Sequence, residues 1–273
     1  MSQRVSIVGC GWLGMPLALH LQSQGWGVTG SGRREETLQA LAEAGIPGSL
    51  LVIGEQIQCD APDTLFAADT LIINVPPGRE EQDNSYGERM ALLAELAVEH
   101  GIRQALFVSS TSVYQDGPTF PECDELAPLS DSPRARMMRL AEQVVRDRFA
   151  KVIVLRPSGL VGGERHPGRF LAGRKGLTGA EAPVNLVHRD DVIGAIQCLI
   201  SRGPWGETFN LSAPLHPTRG DFYPRAALGL GLCEPEFSDA PLPGKRICSD
   251  KLVQSMGFHF RYPDPLTMPP LGN

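Results

Sequence analysis

The chain opens on Gly9-Cys10-Gly11-Trp12-Leu13-Gly14, a G-x-G-x-x-G that follows the apolar run Val5–Val8 and leads into a helical pattern. In that strand-to-helix setting each glycine has its own task. The first makes a tight turn, the second lets a pyrophosphate approach the backbone, and the third packs helix on strand. The helix N-terminus adds unpaired N–H groups and the positive end of its dipole. Gly9, Gly11, Trp12, Leu13 and Gly14 are therefore candidates to hold a dinucleotide. The plainer alternative is a glycine-rich turn with no ligand.

The adenosine end can be read from the next strand. A site for NAD(H) places an Asp or Glu about 20 residues on, to take the ribose 2′-hydroxyl. Here the strand ends Thr29-Gly30-Ser31-Gly32-Arg33-Arg34, with no acid at its tip. An acid would repel a 2′-phosphate, whereas Ser31 can hydrogen-bond it and Arg33 or Arg34 can pair with it. The expected cofactor is NADP(H), with NAD(H) the alternative. The competing reading has both arginines solvated, or satisfied by Glu35 and Glu36.

Val75, Pro76 and Pro77 close the run Asp69–Val75, and Ser109 and Ser110 close Ala105–Ser109. In open α/β sheets ligands lie at such carboxyl ends, so Val75, Pro76, Pro77 and Ser109 join the cofactor candidates. Simple strand-ending turns would contain the same residues. Further on, Arg165, His166 and Arg169 sit in a Gly/Pro-rich loop. Two arginines there can clamp a phosphate or carboxylate of a small-molecule substrate, with Asn185 and His188 as additional contacts. Each of these alone is also an ordinary surface or capping residue. No spacing of His, Cys, Asp or Glu suggests a metal, and the six cysteines form no C-x-x-C pair.

The elements that must position these residues alternate. Apolar runs at Val5–Val8, Gly27–Ser31, Ser49–Ile53, Asp69–Val75, Ala105–Ser109 and Val152–Leu155 read as strands. Helical patterns at Leu13–Gln24, Glu35–Ala44, Tyr86–Glu99 and Pro133–Arg148 intervene. That rhythm predicts an α/β fold, a Rossmann-type doubly wound parallel sheet with a smaller C-terminal substrate lobe. The expected division is a core over 1–156 and a lobe over 157–273, with about 184–212 returning to the core.

Composition narrows the partners. The 273 residues carry a net charge of -6, and the 25 basic residues are scattered rather than massed. No basic face for nucleic acid or an acidic membrane is implied. No stretch approaches the roughly 18 apolar residues of a membrane span. The expectation is a cytoplasmic protein with no nucleic-acid or membrane partner, for which a homodimer is allowed.

At Phe107-Val-Ser-Ser-Thr-Ser-Val-Tyr114 the chain resembles the extended short-chain dehydrogenase/reductases, which include nucleotide-sugar epimerases and dehydratases. The resemblance continues through Leu155-Arg156-Pro157-Ser-Gly-Leu-Val-Gly-Gly163 and Val184-Asn-Leu-Val-His-Arg-Asp-Asp-Val192. The stretches GCGWLGMPLA, RHPGRFLAGR and NLVHRDDVIGAI, with the tail Tyr262–Pro269, are similar to the atypical YeeZ-type members of that group. The resemblance implies an NAD(P)-dependent oxidoreductase or epimerase. It assigns Ser110 to the reacting oxygen.

Two departures matter. Val8 stands where the group's first glycine would be, leaving the loop of ordinary dehydrogenases. The group's catalytic Tyr-x-x-x-Lys is missing, because alignment on Ala141-Glu142 puts Arg134 and Met138 at those positions and no such pair occurs anywhere in the chain. Arginine stays protonated and cannot act as the base. Tyr114 is the first candidate for a replacement acid and His166 the second, although an aromatic residue after such a strand also packs as a wedge. The functional expectation is an NADP-dependent enzyme on a small polar or nucleotide-linked, sugar-type substrate. The alternative is a non-catalytic NADP(H)-binding redox sensor or regulator.

Overall fold

The computed structural model describes residues 3–78 and 85–268; Pro269, the last residue of the tail motif, lies outside them. The first elements are β1 Arg4–Val8, α1 Gly14–Ser23, β2 Gly27–Gly32, α2 Glu35–Glu43, β3 Gly48–Ile53, β4 Ile57–Cys59 and α3 Pro62–Leu65. Then come β5 Thr70–Ile73, α4 Ser85–Glu99, β6 Gln104–Val108, β7 Glu122–Cys123, α5 Pro133–Arg148 and β8 Lys151–Pro157. The last are β9 Gly159–Val161, α6 Gly168–Leu171, β10 Leu186–His188, α7 Arg189–Arg202, β11 Thr208–Leu211, α8 Arg219–Leu228, β12 Arg246–Ile247 and α9 Asp250–Met256.

The main sheet runs β11-β8-β6-β5-β1-β2-β3-β4. The pairs from β8 through β3 are parallel, and β4 adds an antiparallel edge. This is the expected α/β Rossmann-type architecture. Its central strands read as unbroken apolar runs because both faces are covered. The four residues of β5, Thr-Leu-Ile-Ile, are all buried. From β1 the chain winds outward through β2 and β3, then returns to build β5, β6 and β8 on the other side. The strand order reverses between β1 and β5, and the carboxyl ends of the strands at such a reversal are where these sheets bind ligands.

Local chemistry explains the most accurately foreseen element. Helix α5 begins after Ser132, whose hydroxyl accepts a hydrogen bond from the Ala135 N–H, and Pro133 occupies the first turn. Both are start signals with a mechanism. The short edge strand β4 and the two-residue strands β7 and β12 carry too little periodicity to be legible.

The chain forms two compact units. The first contains Met1–Ser110, Ser132–Leu155 and Leu199–Thr208; the second contains Thr111–Asp131, Arg156–Cys198 and Phe209–Asn273. The first holds most of the main sheet, with α4 packed on α5. The second has two parallel strand pairs, β9–β10 and β7–β12, with α6 packed on α8. Its apolar centre includes Val161, Val184, Leu186 and Phe222, with Tyr223, Ala226 and Met268 against them. No helix among the described residues is long and apolar enough to cross a membrane.

Candidate functional site

In the first unit the glycine loop sits at the reversal of strand order. Gly9 has φ +99°, a left-handed conformation, and a Cβ there would lie 2.5 Å from the Asn74 carbonyl oxygen. A Cβ on Gly14 would lie 2.1 Å from the Gly9 oxygen, so the first turn of α1 rests directly on the loop. Gly11 is the contrast. It is exposed, and a Cβ there would meet nothing within 4 Å. The loop is jammed at its first and third glycines and open at the second, the pattern a backbone cradle for a pyrophosphate requires.

The loop is braced from two sides. The Asn74 side chain donates to the Gly9 oxygen at 3.1 Å, while its backbone N–H donates to the Val8 oxygen at 2.9 Å. On the other side Ser31 is buried. Its carbonyl accepts from the Cys10 N–H at 2.8 Å, and its hydroxyl oxygen accepts from the Gly9 N–H at 3.4 Å. Ser31 therefore supports the loop from beneath instead of lying open at the strand tip. The Cys10 thiol is buried as well, and burial pushes its pKa up to about 12, so it stays protonated and inert.

At the tip of β2 the exposed cations are Arg33 and Arg34. Neither pairs with Glu35, Glu36 or any other acid among the described residues. The alternative in which the neighbouring glutamates satisfy them is not what the structure contains. Trp12 is half-buried and Leu13 is buried in the core. Val75 and Pro77 are half-buried and Pro76 exposed, and the Tyr86 hydroxyl fixes the rim by donating to the Val75 oxygen at 2.7 Å.

Ser109 and Ser110 follow β6 at the same carboxyl edge. The Ser109 hydroxyl donates to the Glu142 carboxylate at 2.5 Å, and both residues are buried. Ser110 is half-buried. Arg134 is exposed in the first turn of α5, with its guanidinium 3.5 Å from the Gly78 oxygen, and Met138 is buried in the core. The positions of the group's Tyr and Lys thus hold an exposed cation and a core thioether. Sequence reading missed Asn74, Tyr86 and Glu142. Glu142 had a signal, an acid on the apolar stripe formed by Ala135, Met138, Ala141 and Val145.

In the second unit, Tyr114 is 1% exposed. Its hydroxyl donates to Asn210 Oδ1 at 2.7 Å and accepts from Arg156 Nη1 at 2.8 Å, and the same guanidinium lies 5.1 Å above the ring. Burial raises its pKa despite the opposing Arg156 charge. That is the wrong direction for a phenol exchanging protons near neutrality, and the arrangement is that of a packed wedge.

The loop candidates in this unit are also largely engaged. His166 Nδ1 accepts from the Gly168 N–H at 3.0 Å, at the start of α6, and His188 Nδ1 accepts from the Asp190 N–H at 3.2 Å, at the start of α7. Burial lowers the pKa of both, with the charges of Arg169 and of Arg189 and Arg261 adding to it and Asp190 opposing at His188. Asn185 donates to the Lys245 oxygen at 2.8 Å and accepts from the Ile247 N–H at 2.9 Å, tying β10 to β12. Arg165 and Arg169 are exposed. Among the described residues no group of acidic, His and Cys side chains is arranged to hold a metal.

Comparison with known proteins agrees with this geometry. The family described as the NAD binding domain of 6-phosphogluconate dehydrogenase matches residues 4–116. Protein YeeZ of Escherichia coli (strain K12) is 41% identical, over 98% of this chain and 99% of its own. A short-chain dehydrogenase/reductase superfamily protein from Agrobacterium tumefaciens, with bound NAD, has a TM-score of 0.74 at 17% identity, covering 95% of this chain and 93% of that one. A human epimerase family protein with NADPH has a TM-score of 0.73 at 18% identity, covering 97% of each chain. These last two likenesses are of fold.

Proposed function

The chain belongs to the YeeZ family, on an NAD(P)-binding, epimerase-like short-chain dehydrogenase/reductase fold, and from that premise we propose that it is an NADP-dependent enzyme of the oxidoreductase or epimerase type. Its substrate in this reading is a small polar or nucleotide-linked, sugar-type molecule. The observation that carries the proposal is the open position at Gly11 together with the two unpaired cations, Arg33 and Arg34, at the tip of β2.

Bound there, the cofactor supplies or accepts a hydride at its nicotinamide carbon. The chain's own residues bind and orient. The α1 N-terminus and the bare backbone at Gly11 take the pyrophosphate. Arg33 and Arg34 take the 2′-phosphate, to which a guanidinium bonds in bidentate fashion. Val75, Pro76 and Pro77 form the wall at the end of β5. Ser110 donates a hydrogen bond to the reacting oxygen, and Arg165 and Arg169 are assigned to an anionic group of the substrate. Tyr114 and His166 are engaged with their neighbours in the second unit, and Ser110 enters this reading through the family resemblance at Phe107–Tyr114.

A second reading is favoured by the same engaged groups. With Arg134 and Met138 in place of Tyr and Lys, the chain would bind NADP(H) and report or transmit its redox state without turnover. Calorimetric titration with NADPH and NADH, then a turnover screen over carbonyl compounds and nucleotide sugars, separates the two. The enzyme reading expects at least tenfold tighter NADPH binding, with turnover lost in Ser110→Ala and weakened in Arg165→Ala. Tight NADPH binding with no turnover on any substrate identifies the sensor. Dissociation constants above the millimolar range for both nucleotides sink both readings.

A further inference from the structure

Arg219, in the first turn of α8, is held in an unusual way. Its guanidinium carbon lies over the Tyr223 ring at 5.7 Å and over the Phe237 ring at 5.8 Å. Two aromatic faces attract the cation by their quadrupoles but offer it no acceptor oxygen. Its Nε is buried and has no hydrogen-bond partner, and no ion pair joins Arg219 to any acid among the described residues. The nearest acid in sequence, Asp221, is spent locally. It accepts from the Thr218 hydroxyl at 2.8 Å, and its N–H donates to that hydroxyl at 3.1 Å.

The backbone around Arg219 is fixed too. Its N–H donates to the Ala182 oxygen at 2.9 Å, and the Gly220 N–H donates to the Ala180 oxygen at 2.8 Å. Tyr223 is packed on the apolar centre of the unit, and Phe237 is pinned by its bridge to Leu177. The result is a permanent cation whose position is set by packing, whose donors are unspent, and whose charge no acid neutralises.

Such an arrangement costs free energy unless something accepts from it, since a buried donor gives up its hydration and gains no bond in exchange. The contacts already made are with ring faces, so what remains is the in-plane edge of the guanidinium. That edge suits a group with two oxygens in the fork geometry, not a base that would stack. We propose that Arg219, held by Tyr223 and Phe237, is the anchor of a binding site for an oxyanion, a phosphate or carboxylate group of a small molecule. This site does not depend on the cofactor reading.

The test uses the full chain labelled with 15N at arginine. The buried Arg219 Nε–H should exchange slowly and give a resolved correlation, identified by its loss in Arg219→Lys. Sodium pyrophosphate and sodium citrate are titrated separately against sodium chloride of matched ionic strength. A saturable shift of that one correlation with pyrophosphate assigns a phosphate ligand, and one with citrate assigns a carboxylate. Calorimetry should show the same ligand bound at least tenfold more weakly by Arg219→Met, with Arg219→Lys in between because it keeps the charge and loses the fork. The wild-type titration stands even where a variant fails to fold. A correlation that moves no more than with sodium chloride overturns the proposal. So does equal affinity in wild type and both variants.

Discussion

The glycine loop at residues 9–14 and the polar loop at 165–169 both invite a reading as binding sites, yet they use their residues in opposite ways. In the first, side chains brace the backbone from behind, with Asn74 and Ser31 on the turn, and the bare backbone at Gly11 is left open. In the second unit, His166, His188 and Asn185 are turned onto their own backbone, at two helix starts and one strand junction. The lesson concerns what a polar side chain is for. A ligand site needs donors left over once the fold is satisfied, and by that measure the first unit offers Gly11, Arg33 and Arg34. The second offers Arg219, whose Nε is buried without a partner.

The largest expected effect breaks the first half of the contrast. Gly11→Val fills the open position, where a Cβ would meet no protein atom within 4 Å, so NADPH affinity should fall more than about 100-fold, the loss of about 2.7 kcal/mol of phosphate contact. The melting temperature should stay near wild type. Unchanged NADPH affinity in a folded variant would mean the loop is only a turn.

Replacing both cations, Arg33→Ala with Arg34→Ala, should weaken NADPH about 10- to 100-fold, a loss of roughly 1.4–2.7 kcal/mol that fits charge-assisted hydrogen bonds. NADH affinity should not change. A parallel loss for both nucleotides would remove the 2′-phosphate from the argument.

Asn185→Ala sharpens the other side. Two backbone groups lose their partner, and chemical denaturation should show about 1–3 kcal/mol less stability. NADPH affinity should be unaffected. A variant of full stability that has lost substrate turnover would return Asn185 to the list of ligand contacts.

The smallest effect is a pH dependence. Burial holds His166 and His188 below the unfolded value of about 6.5. Their contribution to stability is complete above pH 6.5 and is lost as the pH falls below it towards the folded values, because the unfolded chain takes up the protons first. Each contributes at most about 1.4 kcal/mol per pH unit within that window. Thermal unfolding at pH 7.5 and 5.5 should show the drop, and His188→Asn, which keeps an acceptor and removes the titration, should reduce it.

What was legible followed from local rules. Strand-to-helix alternation implied the parallel sheet, and the start of α5 was readable from Ser132 and Pro133. The G-x-G-x-x-G loop was legible because its glycines are demanded by contacts within a few residues, or with the strand laid beside them. Glu142 was half legible, as an acid out of place on an apolar stripe. The contact of the Ser31 hydroxyl with the Gly9 N–H was not legible. Whether a hydroxyl near a strand end points out to a ligand or in towards a neighbouring loop depends on the pleat and on what packs beside it.

By itself the sequence determined the fold class, the phosphate loop and the absence of the Tyr-x-x-x-Lys pair, because each depends on residue type and near spacing alone. Only the tertiary structure decided which polar groups have donors to spare. Tyr114 meets its partners 42 and 96 residues away, at Arg156 and Asn210, and Arg219 meets one aromatic face four residues on and another from a separate segment. Hydrogen-bond satisfaction is a property of the packed molecule. A chain can state that it carries a tyrosine or an arginine, but distance in space settles whether that group is used up or left open.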